Sequence, residues 1–261
     1  MGKWAETEEA YFGGSDTKEE KEIMKGRVLP ILFNTDMVQA ILDGRKTVTR
    51  RLVRYKYSNT ELKMRTDKYG TRLIEIQKDI EGETHGRNPD GGTWHKLLPY
   101  IDKKPPYKKG NILYVRETWA FSICIICMNE GACNINPVEY DDGDSISEGC
   151  FLYRAECAPA THIWKPSIHM PKQAARIWLK VTDVRVERLQ DMNTGDFLAE
   201  GVVIRPEAFN DPENAYWQAR RKFVHIWDAT VKKAEKDRYG WDANPWVWVI
   251  EFERCKKPVE E

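Results

Sequence analysis

The densest concentration of charged and hydroxyl side chains lies in segment 44–51, which reads Gly-Arg-Lys-Thr-Val-Thr-Arg-Arg. Four cations and two threonine hydroxyls fall within these eight residues. Arginine and lysine bind phosphates and carboxylates through charge-assisted hydrogen bonds, and threonine hydroxyls often join such contacts. The same cations also suit the negative end of a helix that would stop at Gly44. The segment therefore predicts either a site for a nucleotide or another anion, or a stabilised helix end.

Five further motifs follow this segment along the chain. They are 105–119, which ends in Leu-Tyr-Val-Arg-Glu-Thr-Trp, 164–171 with Ser-Ile-His-Met-Pro, 181–189, the tripeptide Ala-Glu-Gly at 199–201, and 246–252. In this order the motifs resemble the ASCH family of the PUA-like superfamily, in the longer form that phages and prophages often carry. The resemblance covers residues 29 to about 253 and is interrupted by two insertions.

The resemblance implies an α+β fold, namely a bent PUA-like β-barrel flanked by helices and carrying two loop-rich insertions. It also implies a cleft that accepts a base or a nucleotide. The expected function is recognition of a nucleobase, a modified nucleotide or RNA in a basic cleft. The hydrophobic pattern of the residues alone supports only a mixture of helices and strands.

The resemblance also suggests a catalytic alternative, because small bacterial N4-acetylcytidine amidohydrolases belong to this family. Their proposed catalytic lysine, threonine and glutamate match Lys46, Thr49 and Glu200. A threonine hydroxyl can attack a carbonyl when a desolvated lysine or a carboxylate accepts its proton. An ammonium can instead stabilise the developing oxyanion. Deacylation of an N4-acylated cytidine-type nucleoside is thus the alternative function, and an accessory or structural phage protein is a weaker one.

Residues of three motifs are expected to bind the nucleotide or RNA. They are Arg45, Arg50 and Arg51 in the first segment, Arg116, Glu117 and Trp119 in the second, and Ser167 and His169 in a proline-bracketed loop. Each type also has a structural interpretation, as a solvated strand edge, an Arg–Glu ion pair, a core tryptophan or a structural histidine. Replacing Lys46 or Arg50 with alanine is expected to weaken binding and to leave the melting temperature nearly unchanged.

The cysteines predict a possible structural zinc site. Cys124, Cys127 and Cys133 have C-x2-C-x5-C spacing, and Cys150 or Cys157 would complete four thiolates. A metal would stabilise an insertion that is poorly able to fold alone. The alternative is that these cysteines are buried apolar residues. No cofactor is required for the main site.

The composition excludes little, since the 261 residues contain 41 basic and 41 acidic side chains. Any nucleic-acid surface must therefore be a local patch. No apolar stretch near residue 1 has the length of a signal peptide or a membrane span. We therefore expect a cytoplasmic protein, in a bacterial host if phage-encoded, without a membrane partner.

The pattern predicts a flexible arm at 1–27, one domain at 28–254 with insertions at about 58–104 and 120–150, and a tail at 255–261. The predicted strands are 27–34, 50–57, 112–115, 150–156, 174–189 and 244–253, with a hairpin at 61–77. The predicted helices are 35–43, 193–201 with Thr194 as its cap, and 214–236.

Overall fold

The structure is a computed structural model, and it describes residues 26–57, 60–68, 70–77, 85–87, 93–95, 101–122, 138–141, 143, 146–156 and 163–258. The strands of these residues are β1 (Val28–Leu32), β2 (Val48–Leu52), β3 (Thr60–Asp67), β4 (Gly70–Gln77), β5 (His85–Arg87), β6 (Thr93–His95), β7 (Ile101–Asp102), β8 (Ile112–Arg116), β9 (Trp119–Ser122), β10 (Val138–Asp141), β11 (Ile146–Tyr153), β12 (Trp178–Arg188) and β13 (Trp246–Cys255). The helices are α1 (Thr35–Leu42), α2 (Thr194–Ala199), α3 (Pro212–Thr230) and α4 (Lys236–Tyr239), with short 3₁₀ turns between them.

The main sheet has five strands in the order β1-β8-β12-β13-β2. Strands β1 and β8 run parallel, and the other neighbours run antiparallel. Although β1 and β2 form opposite edges of this sheet, Arg51 Nη2 on β2 donates a hydrogen bond of 2.8 Å to Leu32 O on β1. The sheet therefore curls until its two edges lie one side chain apart, as in a half-barrel. The predicted α+β class is confirmed at this level.

Helix α1 packs with one core cluster and α3 with another. The first cluster contains Val38 and Ile41 of α1 together with sheet residues such as Ile250. The second contains Phe223 and Trp227 of α3 together with Val249 of the neighbouring face. Alternation along β13 thus supplies both clusters, because successive side chains of a strand point to opposite faces.

Local signals set the helix ends that matter for the site. The Asn34 side chain caps α1 by accepting a hydrogen bond of 2.9 Å from Met37 N. After the helix, Gly44 has a φ of 74°, the left-handed conformation expected of a glycine that ends a helix. The prediction that Thr194 caps the second helix is wrong. Asn193 is the cap, in a capping box with Asp196, and Thr194 is the first helical residue.

The predicted hairpin at 61–77 is confirmed as β3 and β4, which pair down to Asp67 and Gly70. The strand predicted from residue 50 instead begins at Val48, inside the basic segment, because β2 pairs with β13 from Glu251 onward. Much of both insertions lies outside the described residues. In the part of the chain that is described, none of the helices combines the length and apolar character needed to cross a membrane.

Candidate functional site

A cavity of about 160 Å³ lies where α1, β2, the end of α2 and α3 meet. Its polar wall includes Asn34, Thr49, Arg50, Arg51 and Glu200, and its apolar wall includes Met37, Phe223, Ile226 and Trp227. The basic segment and the Ala-Glu-Gly motif therefore meet at one cavity, although about 150 residues separate Arg50 and Glu200 along the chain.

Lys46 and Glu200 form a buried ion pair beneath this cavity. Lys46 is 2% exposed, and its Nζ lies 2.5 Å from Glu200 Oε2. The same Nζ donates to Val48 O at 2.8 Å and to Glu200 O at 3.0 Å. These three acceptors match the three N–H bonds of an ammonium. Glu200 itself borders the cavity, and Lys46 supports it from behind.

Burial lowers the pKa of Lys46 below its usual value, because desolvation disfavours the ammonium. The Glu200 carboxylate opposes this shift, and the nearby charges of Arg51 and Arg50 add to it. A buried lysine whose pKa is shifted by burial and named charges, next to a cavity, is characteristic of functional sites.

Arg50 extends the pair into a network of buried charges. Its guanidinium contacts Asp196 Oδ1 at 2.9 Å, Glu200 Oε1 at 3.4 Å and Glu187 Oε2 at 3.6 Å. Glu200 is thus held by two cations, one at each of its carboxylate oxygens. Because Arg50 and Lys46 are both fully buried, alanine at either position is expected to reduce stability as well as binding. This replaces the sequence-based expectation of an unchanged melting temperature.

Two threonines, Thr49 and Thr230, line the cavity, and the Thr230 hydroxyl already donates to Trp227 O. Thr49 lies on β2 opposite Ile250 and is 3% exposed, yet it borders the cavity. Within the described part of the chain its Oγ1 makes no hydrogen bond. A ligand in the cavity can therefore use Thr49 as donor or acceptor without breaking an existing contact.

Gly201 allows Glu200 to approach Lys46. Helix α2 ends with Glu200 as its C-cap, and Gly201 then adopts a φ of 94°. A Cβ added to Gly201 would lie 2.8 Å from Ala40 Cβ and 3.3 Å from Lys46 Cβ. The close approach lets Lys46 and Glu200 form an antiparallel bridge. The positive φ and the close contacts therefore explain why the Ala-Glu-Gly motif ends in glycine.

The remaining two arginines of the segment, Arg45 and Arg51, lie in different environments. Arg45 is exposed, pairs with Asp43 Oδ2 at 2.8 Å and donates to Gly201 O at 2.9 Å. It does not border the cavity, so it clamps the turn after α2. Arg51 does border the cavity, and its guanidinium lies 5.3 Å from the centre of the Phe33 ring.

The second predicted motif splits between the protein core and a neighbouring surface. Glu117 is 1% exposed and accepts two hydrogen bonds from Arg176, of 2.9 and 3.0 Å. Burial raises the pKa of Glu117, and Arg176 opposes that shift. Trp119 is 1% exposed and packs against Phe151, so it is not presented for base stacking. Glu117 thus belongs to an Arg–Glu ion pair and Trp119 to the core, which are the structural interpretations of these two residues.

Arg116, Ser167 and His169 lie outside the first cavity. Arg116 donates through Nη2 to Ile168 O and thereby holds the 3₁₀ turn Ser167–His169. Ser167 is half-buried and His169 is exposed. The structure therefore brings Thr49, Arg50, Arg51 and Glu200 together at one cavity, with Lys46 behind them.

The predicted zinc ligands Cys124, Cys127 and Cys133, and the alternative Cys157, lie outside the described residues. Cys150 is buried on β11, beside Ser122 of β9. No cluster of three or more metal-binding side chains occurs among the residues that are described. The zinc site stays a prediction.

Sequence reasoning missed Asp196, Asn34 and the α3 wall. Asp196 had a signal, since it stands three residues after Asn193, in the spacing of a capping box. Its carboxylate both completes that box and holds Arg50. The contribution of α3 had no sequence signal, because its inner residues also read as ordinary core.

Comparisons with known proteins gave no relative: no protein-family model matches the chain, and neither a curated protein nor a solved structure matches it significantly.

Proposed function

We propose that this protein is an ASCH-type, PUA-like nucleotide-binding protein that takes one nucleobase, plain or modified, into the cavity between β2 and α3. The observation that carries the proposal is that Thr49, whose hydroxyl makes no hydrogen bond among the described residues, lines a small cavity together with Glu200 and several apolar side chains. A base presents donors and acceptors on its edge and apolar faces above and below. Thr49 and Glu200 suit the edge, and Phe223 and Trp227 suit a face.

The size of the cavity supports one base and not a whole nucleotide. Its volume is about 160 Å³, or roughly five times the 30 Å³ that one water occupies in the liquid. Typical pockets for larger ligands start at roughly 300 Å³. The sugar of a bound nucleoside would then lie at the mouth of the cavity, near Arg51.

The buried Lys46–Glu200 pair favours deacylation of an N4-acylated cytidine as a second function. A water that Thr49 Oγ orients would attack the acyl carbon and give its proton to Glu200, the C–N bond would break, and Glu200 would return the proton to the leaving amine, so that acetate and cytidine form. If Thr49 Oγ itself attacks, the acyl group passes to Thr49 as the amine leaves, and a water must then hydrolyse this ester to release acetate. Because Lys46 Nζ already donates to three acceptors, Glu200 is the better proton acceptor and donor. Lys46 and Arg50 would then hold the two oxygens of Glu200 in position.

Calorimetric titration with the four common ribonucleosides and N4-acetylcytidine, followed by mass analysis of the products, tests both functions. Binding of a nucleoside without chemical change supports recognition alone. Release of cytidine and acetate from N4-acetylcytidine supports the amidohydrolase. If none of the five nucleosides or their monophosphates binds, the proposed function is refuted.

A further inference from the structure

A second cavity, of about 320 Å³, is lined by residues of β1, β2 and β8, among them Arg51. Two arginines, Arg51 and Arg116, border it together with Tyr107, and Leu32 and Pro106 contribute apolar walls. Arg51 borders the first cavity as well. The two cavities therefore share one cationic side chain.

The strand pairing explains why the two arginines meet there. Leu32 is the register partner of Arg116 in the parallel β1–β8 pair, and Phe33 N donates to Arg116 O at 3.2 Å. From the opposite edge of the sheet, Arg51 Nη2 donates to Leu32 O at 2.8 Å. The end of β1 therefore contacts the backbone of Arg116 on one side and the guanidinium of Arg51 on the other.

Within the described residues, these two partly buried arginines form no ion pair, unlike the buried Lys46 and Arg50. Among the described residues, no carboxylate lies within 4.0 Å of either guanidinium, whereas Arg50 contacts three. Arg116 Nε is buried and has no hydrogen-bond partner among the residues that the structure describes. Each guanidinium has five N–H donors, and the contacts to Leu32 O and Ile168 O each use one Nη2 group.

The charge of Glu200 acts on Arg51 from a distance. Two partly buried cations that form no ion pair with a described carboxylate still favour an anion, because apolar walls strengthen their field. Tyr107 adds no competing negative charge. Its hydroxyl donates to Pro30 O at 2.7 Å, and burial raises its pKa. A phosphate offers several acceptor oxygens and pairs with arginine in a forked geometry.

We propose that the second cavity holds a phosphate of the same ligand whose base enters the first cavity. The ligand is then a nucleotide or an RNA strand, and a free nucleoside lacks half of the recognised groups. This inference rests on the proposed function. Arg51 lies between the two cavities, near the sugar, and Arg116 contacts only the phosphate.

The test compares cytidine, cytidine 5′-monophosphate, cytidine 3′-monophosphate and a cytidine trinucleotide by calorimetric titration of the full chain. If cytidine is not the preferred base, the preferred nucleoside from the panel above replaces it. At least one phosphorylated ligand should bind about ten- to a hundredfold tighter than the nucleoside, as expected for charge-assisted hydrogen bonds. A trinucleotide that binds tighter than both monophosphates identifies RNA as the source of the phosphate.

Arg116→Gln should remove this gain and leave nucleoside affinity unchanged, and Arg116→Lys should keep part of it. Arg54→Gln is the matched control, since Arg54 is exposed and pairs with Glu235 at 3.2 Å. Melting temperatures establish that each variant is folded. Should Arg116→Gln fail to fold, Arg116→Lys carries the comparison.

The outcomes separate the two proposals. If the nucleoside binds but phosphate adds nothing, or if both Arg116 variants keep the full gain, the phosphate site is refuted and the base cavity stands. If neither the nucleoside nor any phosphorylated ligand binds, both proposals fail.

Discussion

Replacing Glu200 with glutamine should destabilise the protein strongly, although the side chain keeps its shape. Within the described residues, Glu200 is the only carboxylate within 4.0 Å of Lys46 Nζ. Glutamine can still accept a hydrogen bond from that nitrogen but brings no charge. The buried ammonium of Lys46 is then left without its counter-ion, while Arg50 keeps Asp196 at 2.9 Å.

The expected loss follows from the burial of both partners. Their side chains are 0% and 7% exposed. Removing one partner of such a pair costs about 3 to 5 kcal/mol, because an uncompensated charge stays in the interior. For a chain of this size each kcal/mol shifts the melting temperature by roughly 2 to 4 °C. We therefore expect Glu200→Gln to melt roughly 6 to 20 °C below the wild type.

The deficit should depend on pH in a defined direction. Burial already lowers the folded-state pKa of Lys46, and loss of Glu200 removes the contact that opposes this shift. Where the folded pKa lies below the unfolded one, the unfolded state binds more protons, so stability rises with pH through that window. In the Glu200→Gln variant the folded-state pKa of Lys46 is lower still, so stability begins to rise at a lower pH than in the wild type. The deficit should therefore shrink as the pH rises from neutral toward the folded pKa of the wild-type lysine.

Urea unfolding at several pH values between 6 and 9, followed by tryptophan fluorescence, measures both effects. Glu235→Gln is the matched control, because Glu235 pairs with the exposed Arg54 and should change stability by less than about 1 kcal/mol. A Glu200→Gln variant as stable as this control would refute the buried-pair interpretation. A deficit that grows as the pH rises would contradict the linkage argument.

Two further perturbations test local features by thermal unfolding. Gly201→Ala should lower the free energy of unfolding by about 1 to 2 kcal/mol because of the left-handed backbone, and by about 1 to 3 kcal/mol more because of the close contact with Ala40. Gly44→Ala is the control, since Gly44 has open space around it and should show only the backbone cost. Equal losses in the two variants would contradict the packing argument. Burial raises the pKa of Glu75, but hydrogen bonds, first among them that from Lys103, lower it to about 2. The wild type should therefore lose stability as the pH falls from about 4.5 to 2, and Glu75→Gln should lack this component; an acid profile unchanged by the substitution would contradict the assignment.

The sequence predicted the members of the site better than their roles. The motif 44–51 and the Ala-Glu-Gly motif indicated Lys46, Thr49 and Glu200, and the fold brings these segments together. The prediction considered a desolvated Lys46 for the catalytic alternative, but it did not anticipate that Arg50 is buried as well. A run of cations reads as a solvated surface, and only the long-range approach of Glu200 and Asp196 makes burial of those charges tolerable.

The local elements were predictable where one signal dominated. Gly44 marked the end of α1, and alternation over 174–189 marked β12. Pairing across the sheet was not predictable from one sequence. The meeting of Arg51 with Leu32, and of Arg116 with the same residue, depends on which strands form the edges, and that is a property of the whole sheet. The interior position of Trp119 was equally hidden, because one aromatic residue suits either a core or a binding face.

The affinity of the Thr49→Val variant for the tightest-binding nucleoside tests the central claim most directly. Valine keeps the shape of threonine and removes only the hydroxyl, which makes no hydrogen bond within the described residues. The melting temperature should therefore stay close to that of the wild type. Thr47→Val, on an exposed threonine of the same motif, is the control. We expect affinity to fall roughly fivefold or more for Thr49→Val, because a polar ligand group loses its partner, and to stay unchanged for Thr47→Val. Equal affinities in the wild type and both variants would contradict a base held at Thr49.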